Sequence, residues 1–216
     1  MKKLVLAIAL VALFAAASAR ADTLKLGSTY VPVLVSINGG APQLEGGGSI
    51  TPSYLNGVAL PWVYCVDLYT NVYVPATYDA TVVTQNGVVH GAPLNNLGYV
   101  TSLLNQFAAS AVTPAQQGAL QAAIWHEIYL NVPGRGVDYA GADRADYERF
   151  VAAAWNDPNL SPLILWMTPN STGSGNSYGY QALVTDPPGE VPEPGSIVLL
   201  ATGLVGLGAA IRRRLR

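Results

Sequence analysis

Cys65 is the only cysteine of the chain, and it lies in the short segment Tyr64-Cys65-Val66-Asp67. Exported proteins normally use cysteines in disulfide pairs, so a single cysteine behind an export signal indicates intermolecular pairing or a reactive thiol. A second segment, residues 120–125, reads Leu-Gln-Ala-Ala-Ile-Trp and places Gln121 on a predicted helix. The thiolate of a cysteine is a nucleophile, and the carboxamide carbon of a glutamine is a centre that it can attack.

These two segments together resemble the bacterial thioester domains of surface adhesins. In that family the cysteine sulfur bonds to the glutamine side-chain carbonyl, ammonia is lost, and the internal thioester can capture an amine on another molecule. The resemblance covers mainly residues 63–128 and implies a thioester crosslink between Cys65 and Gln121. Gln116 and Gln117 lie near the start of the same helix and are rival acyl donors, but only Gln121 fits the Leu-Gln-x-x-Ile frame.

Formation of a thioester sets requirements that residues near the pair could meet. Donors must stabilise the tetrahedral oxyanion, a group must protonate the departing amine, and water must be kept away. The sequence offers supporting candidates without choosing among them: Tyr64, Asp67, Trp125 and His126, with Glu127 beside the last. A lone cysteine among valines and tyrosines is also typical of a buried, inert core residue.

The N-terminus has the three parts of a secretory signal peptide over residues 1–21. Lys2 and Lys3 form the positive region, residues 4–17 the apolar stretch, and Ala19-Arg20-Ala21 a small-residue cleavage site. We expect cleavage before Asp22, which leaves a body over residues 22–186.

The C-terminus also has three parts. A linker over residues 187–194 ends in the motif Val191-Pro192-Glu193-Pro194, and residues 195–211 are apolar. At about 1.5 Å per residue this stretch would form roughly 25 Å of helix, near the lower limit for a transmembrane helix. The tail over residues 212–216 is basic and is expected to stay cytoplasmic, which keeps the body outside. Its arginines are Arg212, Arg213, Arg214 and Arg216.

This arrangement is similar to the PEP-CTERM sorting signal of Gram-negative bacteria that make exopolysaccharide. The resemblance implies an exosortase as processing partner. It also implies anchorage in the inner membrane before sorting, and then delivery to the cell surface or extracellular matrix. The adhesins with thioester domains are Gram-positive and wall-anchored, so a matrix or neighbouring-cell target is expected here instead of a host cell.

Composition limits the partners of the body. Residues 22–191 contain four basic and twelve acidic residues, which gives a net charge of −8. An acidic body without a basic patch argues against nucleic acid and anionic membrane surfaces as partners. Two histidines and one cysteine do not supply a zinc site of familiar spacing, so we expect no metal and no cofactor.

The order of predicted elements is strands, a helical insert and strands again, which indicates an α+β fold. Strand character occurs at residues 24–37, 58–74, 77–83, 163–167 and 178–185. Gln85-Asn86-Gly87 predicts a hairpin turn leading into Val88-Val89. Residues 39–48 and 170–176 are rich in Gly, Ser and Asn and predict loops.

Apolar residues at helical spacing predict helices over residues 95–109 and 142–155. Between them, Thr113-Pro114-Ala115-Gln116 is a helix start, with Thr113 as N-cap and Gln116 in the capping-box position. This helix should run to about Tyr129 and place Gln121 and Trp125 one turn apart. The fold expected is therefore a β-rich, thioester-domain-like body with a helical insert, followed by one C-terminal transmembrane helix.

Two functions are compatible with these features. The first is an exported surface or matrix protein that forms a Cys-Gln thioester for covalent attachment, or adhesion, to amine-bearing targets. Because such a thioester reacts once, the protein would not be an enzyme in the usual sense. The alternative is a noncovalent structural or carbohydrate-binding protein of the exopolysaccharide matrix of a biofilm, with Cys65 buried and inert.

Overall fold

The computed structural model describes residues 21–156, 164–174 and 179–188, which make up most of the body of the protein. This body is mostly β-sheet with a few helices, and its main sheet is curled into a half-barrel. Residues 1–20 of the predicted signal peptide, the Pro-Glu-Pro element, the apolar stretch 195–211 and the arginine tail lie outside the described residues. Within the described ranges, no helix has the length and apolar character needed to cross a membrane.

The strands of the described residues are short and pair in antiparallel fashion throughout. They are β1 (Asp22–Leu26), β2 (Thr29–Ile37), β3 (Gln43–Thr51), β4 (Tyr54–Leu55), β5 (Val58–Ala59), β6 (Tyr64–Cys65), β7 (Ala76–Thr84), β8 (Val88–Val89), β9 (Ala92–Pro93), β10 (Val137–Tyr139), β11 (Leu165–Thr168) and β12 (Leu183–Thr185). The main sheet has the order β5-β4-β1-β7-β11-β12-β6, and a second sheet has the order β10-β2-β3. Strand β6, which contains Cys65, is therefore an edge strand of the main sheet.

The helices form one group between β9 and β11. Helix α1 (Leu97–Leu103) continues into a π-helical turn (Leu104–Ala108), and it is followed by α2 (Pro114–Tyr129) and α3 (Arg144–Asn156). The predicted start of α2 is confirmed: the Thr113 side chain accepts a hydrogen bond from the Gln116 N–H at 3.2 Å, and the Gln116 side chain accepts one from the Thr113 N–H at 3.2 Å. These reciprocal bonds satisfy two free donors at the helix start.

Helix α2 is the central element of the core. Its buried residues lie on most of its circumference, because the β2–β3 sheet, α1 and α3 all pack against it. A helix that is apolar nearly all round is typical of a protein interior. Any polar side chain on its inner turns is therefore brought into the core, and this applies to Gln121, which is completely buried.

Residues 39–48 are not the loop that their glycine content predicts. Residues 43–51 form β3, which pairs along most of its length with β2. The reason is a close approach between β3 and α2: a Cβ built on Gly47 would lie 2.6 Å from Gln121 Cγ and 2.9 Å from Val33 Cγ2. Glycine in a strand often marks a place where another element comes too close for a side chain.

The predicted hairpin at Asn86-Gly87 is also wrong. Strand β8 pairs with β9 across His90-Gly91, and both of these turn residues have positive φ, 51° and 75°. A two-residue type I′ turn requires positive φ at both central positions. Residues 58–74, for which strand character is predicted, contain only β5 and β6 as strands, and Cys65 lies on β6. Strand β10 was not predicted.

Candidate functional site

Cys65 lies on β6. One edge of this strand is hydrogen-bonded to β12, and the other edge faces α2. Its register partner on β12 is Leu183, and the next residue, Val66, donates its N–H to the Ala182 carbonyl at 2.9 Å. The Cys65 residue is 2% exposed. Its own N–H and carbonyl point to the free edge of the strand, where a neighbouring strand would otherwise bond to them.

The side chain of Gln121 fills this place. The Cys65 N–H donates to Gln121 Oε1 at 3.0 Å, and Gln121 Nε2 donates to the Cys65 carbonyl at 2.7 Å. The orientation of the carboxamide follows from these bonds, since a backbone N–H can only donate and a backbone carbonyl can only accept. The structure therefore brings together the two residues that the sequence analysis paired, with the Gln121 carboxamide against the Cys65 backbone.

Two features of the surroundings hold Gln121 in its buried position on α2. Gly47 gives the space for the Gln121 side chain, because β3 passes directly over it. Trp125, one turn further along α2, is completely buried, and its Cη2 atom would lie 3.2 Å from a Cβ on Gly47. The role of Trp125 as an apolar screen for the pair stays a prediction.

The Cys65 thiol is in an environment that opposes its ionisation. Burial, and secondarily the negative charge of Asp67, raise its pKa to about 12. A charged group that leaves water loses its hydration, so burial favours the neutral thiol. At neutral pH the thiol is therefore protonated, and it is not an activated nucleophile of the cysteine-protease type.

The Asp67 carboxylate is ionised and accepts hydrogen bonds from several neighbouring residues. Burial alone would raise its pKa, but hydrogen bonds from His90, Thr70, the Tyr69 N–H and Tyr129 outweigh burial and lower the pKa to about 2. His90 Nε2 lies 3.3 Å from Asp67 Oδ2, and Tyr129 Oη donates to Asp67 Oδ1 at 3.1 Å. Asp67 thus lies near Cys65 as a fixed negative charge that binds the loop after β6.

The sequence analysis missed Gln181, which contacts the sulfur directly. The Cys65 thiol donates to Gln181 Oε1 at 3.3 Å, and Gln181 is 7% exposed. Its Nε2 donates to the Asp67 carbonyl, and its N–H donates to the Asn71 carbonyl at 3.0 Å. The sequence does not indicate a functional role for Gln181, because the pattern of residues 178–185 predicts only a strand.

The other candidates do not contact the Cys65–Gln121 pair through any described hydrogen bond. His126 lies on a different face of α2, where Nδ1 is 2.8 Å from the Val137 carbonyl and 2.9 Å from Tyr147 Oη. Tyr64 is buried with its ring centroid 5.9 Å from that of Trp62. Glu127 is buried and accepts a bond from Trp155 Nε1 at 2.9 Å.

The rival acyl donors are placed elsewhere. Gln116 belongs to the cap of α2, and the Gln117 Cβ lies against Gly48, 3.3 Å from the position of a Cβ on that glycine. In the part of the chain that the structure describes, no three His, Cys, Asp or Glu side chains are grouped as metal ligands.

A cavity of about 330 Å³ reaches Cys65 from the surface. Gln181 lines it next to the sulfur, and Tyr30, Glu45 and Tyr73 line it further out. Gln121 does not line this cavity, so the pair is accessible from the side of the sulfur and is closed on the side of α2.

Comparison with known families bears on the end of the chain. A family model described as the PEP-CTERM protein-sorting motif matches residues 190–214. The chain carries a PEP-CTERM sorting motif. The predicted Val191-Pro192-Glu193-Pro194 element and the first three tail arginines fall inside the match, and Arg216 lies just beyond it. This motif implies an exported protein that is processed by exosortase at the membrane of a Gram-negative bacterium. No curated protein and no solved structure matches the chain.

Proposed function

We propose that the body forms an internal thioester between Cys65 Sγ and Gln121 Cδ. The exported protein would use this bond to attach covalently to amine-bearing molecules of the cell surface or matrix. The observation that carries the proposal is the pair of hydrogen bonds, 3.0 and 2.7 Å, that hold a completely buried carboxamide against the cysteine residue. These two bonds satisfy the buried carboxamide and also place it beside the residue whose sulfur would attack it.

The chemistry balances without an external acid or base. Sulfur attacks Gln121 Cδ, the C–S bond forms, and the C–N bond breaks. The proton of the thiol goes to the departing nitrogen, which leaves as ammonia. A protonated thiol with a raised pKa is therefore the correct starting form, although it is a slow nucleophile, so bond formation is expected to occur once, after folding.

A donor for the oxyanion is already present. As sulfur adds to Cδ, negative charge develops on Gln121 Oε1, which accepts the Cys65 N–H at 3.0 Å. Donors fixed in advance at the atom that becomes charged are usually the largest contribution to such reactions. The backbone of the nucleophilic residue itself would thus stabilise the intermediate.

The test is the intact mass of the full chain, compared with that of a Cys65→Ala variant. We expect a deficit of one ammonia in the native protein, absent in Cys65→Ala and also absent in Gln121→Ala. The matched control is Gln117→Ala, which removes a glutamine of the same helix and should keep the deficit. Methylamine should then add to Gln121 and release one thiol, which is counted after the chain is unfolded because the folded site buries it. A native chain of full sequence mass with a free thiol would refute the proposal. A spent thioester would instead show Glu at position 121.

A second function is supported by the tyrosines around the cavity. Tyr30 and Tyr73 are 49% and 65% exposed, and exposed aromatic faces of this kind can stack on sugars. A noncovalent matrix protein would bind exopolysaccharide through them. Binding of an oligosaccharide that survives Cys65→Ala and is lost in Tyr73→Ala would favour this function over covalent attachment.

A further inference from the structure

The cavity beside Cys65 contains one polar side chain whose orientation is fixed. Gln181 Nε2 is bonded to the Asp67 carbonyl and the Gln181 N–H to the Asn71 carbonyl, so Gln181 Oε1 must face Sγ, 3.3 Å away. A rotation of the carboxamide by 180° would turn a donor toward the thiol proton and an acceptor toward a carbonyl. Gln181 therefore presents an acceptor, and only an acceptor, to the sulfur.

The hydrogen bond that Gln181 Oε1 accepts from the thiol is lost when the thioester forms. In the free thiol, S–H donates to Gln181 Oε1. In the thioester the proton is gone, and the buried oxygen faces a sulfur that cannot donate. Gln181 lines the cavity, so this oxygen is open to a new donor, and an N–H that enters the cavity at this point can bind to it.

We propose that Gln181 Oε1 receives an N–H of the attacking amine and directs the nitrogen lone pair at Gln121 Cδ. This inference rests on the proposed thioester. It makes the 330 Å³ cavity the site that admits the amine.

The step returns the site to its starting pattern of hydrogen bonds. The amine nitrogen bonds to Gln121 Cδ, the C–S bond breaks, and one amine proton moves to sulfur. The product is an amide on Gln121 and a Cys65 thiol, which again donates to Gln181. The glutamine gains and loses no proton, so it acts by orienting the amine.

The lining of the cavity indicates the class of amine. Among the described residues that line it, Glu45 carries the only charge, and Tyr30 and Tyr73 lie near it. A carboxylate and aromatic rings attract a cation, which is the form of an alkylamine in water at neutral pH. The ammonium gives one proton to water in the open cavity, and the neutral amine is the form that attacks. The substrate is therefore a primary amine on a slender alkyl stem, of the type that a lysine side chain provides.

The experiment uses the full chain and two nucleophiles. Wild type, Gln181→Met and the control Gln117→Met are treated with methylamine or with 2-mercaptoethanol, and the products are followed by mass. Attack by a thiolate forms a mixed thioester at Gln121, and the attacking sulfur, unlike an amine nitrogen, carries no hydrogen to donate to Gln181. We therefore expect Gln181→Met to keep the ammonia deficit and to react about tenfold more slowly with methylamine, since one hydrogen bond is lost. Its reaction with 2-mercaptoethanol should be unchanged, and Gln117→Met should match wild type in both reactions.

Each other outcome overturns the inference, and the outcomes separate it from the proposed function. An ammonia deficit with undiminished methylamine reactivity in Gln181→Met would refute the role of Gln181 and leave the thioester. Equal slowing of both nucleophiles would show a structural role only. A wild type without the deficit would refute both proposals. If Gln181→Met does not fold, Gln181→Asn withdraws the acceptor by one methylene. Gln181→Asn should then react more slowly with methylamine but not with 2-mercaptoethanol. If it reacts with methylamine at the wild-type rate, the inference is refuted.

Discussion

The substitution Gly47→Ala tests whether the approach of β3 to α2 positions Gln121. The new Cβ would lie 2.6 Å from Gln121 Cγ, 2.9 Å from Val33 Cγ2 and 3.2 Å from Trp125 Cη2. Ordinary contacts of this kind are about 3.5–4.0 Å, so the Gln121 stem must move by about 1 Å. The Gly47 backbone does not have positive φ, so strain in the backbone adds nothing to this effect.

The expected cost follows from the packing. Extra atoms in a well-packed core typically cost about 1–3 kcal/mol. For a chain of this size, that corresponds to a fall in melting temperature of roughly 3–10 °C. A displaced Gln121 also weakens its two hydrogen bonds to Cys65, so we expect a smaller fraction of chains with the ammonia deficit.

The matched control is Gly46→Ala, one residue earlier in the same strand. There the nearest atoms are in the Tyr30 ring, at 3.5 and 3.6 Å, which is normal contact. This variant should stay within about 0.5 kcal/mol of wild type. Thermal unfolding and intact mass of the three chains are the measurements. If Gly47→Ala matches Gly46→Ala in both, the close approach of β3 does not position Gln121 and our account of the glycine-rich strand is wrong.

Three further predictions concern groups with perturbed environments and the sorting motif. In chains with a spent thioester, the Cys65 thiol should react very slowly with iodoacetamide at pH 8, because burial and the Asp67 charge raise its pKa to about 12; a native rate equal to the unfolded rate would contradict this. Burial raises the pKa of Glu127 to about 7 despite the hydrogen bond from Trp155. The carboxyl therefore holds its proton more tightly in the folded chain than in the unfolded chain. The folded state loses stability as the pH rises from about 4.5 through 7. Glu127→Gln should therefore be more stable than wild type by about 3 kcal/mol at pH 8 and equal to it at pH 4, as measured by urea unfolding at the two pH values. Glu193→Ala, in a host that makes exosortase, should accumulate as the unprocessed full-length chain on an immunoblot, whereas processing at the wild-type level would show that the acidic residue is dispensable.

The parts of the site that could be predicted are those with local signals. The capping residues Thr113 and Gln116 fix where α2 begins, and this in turn fixes Gln121 and Trp125 on neighbouring turns. Pairing Gln121 with Cys65 needed the resemblance to a family, since no local pattern connects a strand and a helix so far apart in the chain.

The remaining parts depend on contacts between distant segments. Gln181 reaches the sulfur because it lies just before β12, which pairs with β6, and because it donates to the Asp67 and Asn71 carbonyls after β6. Gly47 looks like a loop residue until α2 is in place over it. The turn at His90-Gly91 was missed because Asn86-Gly87 is the stronger hairpin signal in the sequence. A type I′ turn needs positive φ at both of its central residues, and in the structure Gly87 meets this requirement but Asn86 does not.

The distance along the chain between Cys65 and Gln121 has a mechanical consequence. The proposed thioester, between residues 56 positions apart, would close a large loop that ties the edge of the main sheet to the central helix. By the chain-entropy relation for such loops, this would restrict the unfolded chain by about 4 kcal/mol. Capture of an amine would open the loop, so the body would resist unfolding most strongly before attachment and less strongly afterwards. A protease that cleaves unfolded chains would therefore degrade molecules that have already reacted faster than molecules whose thioester is still intact.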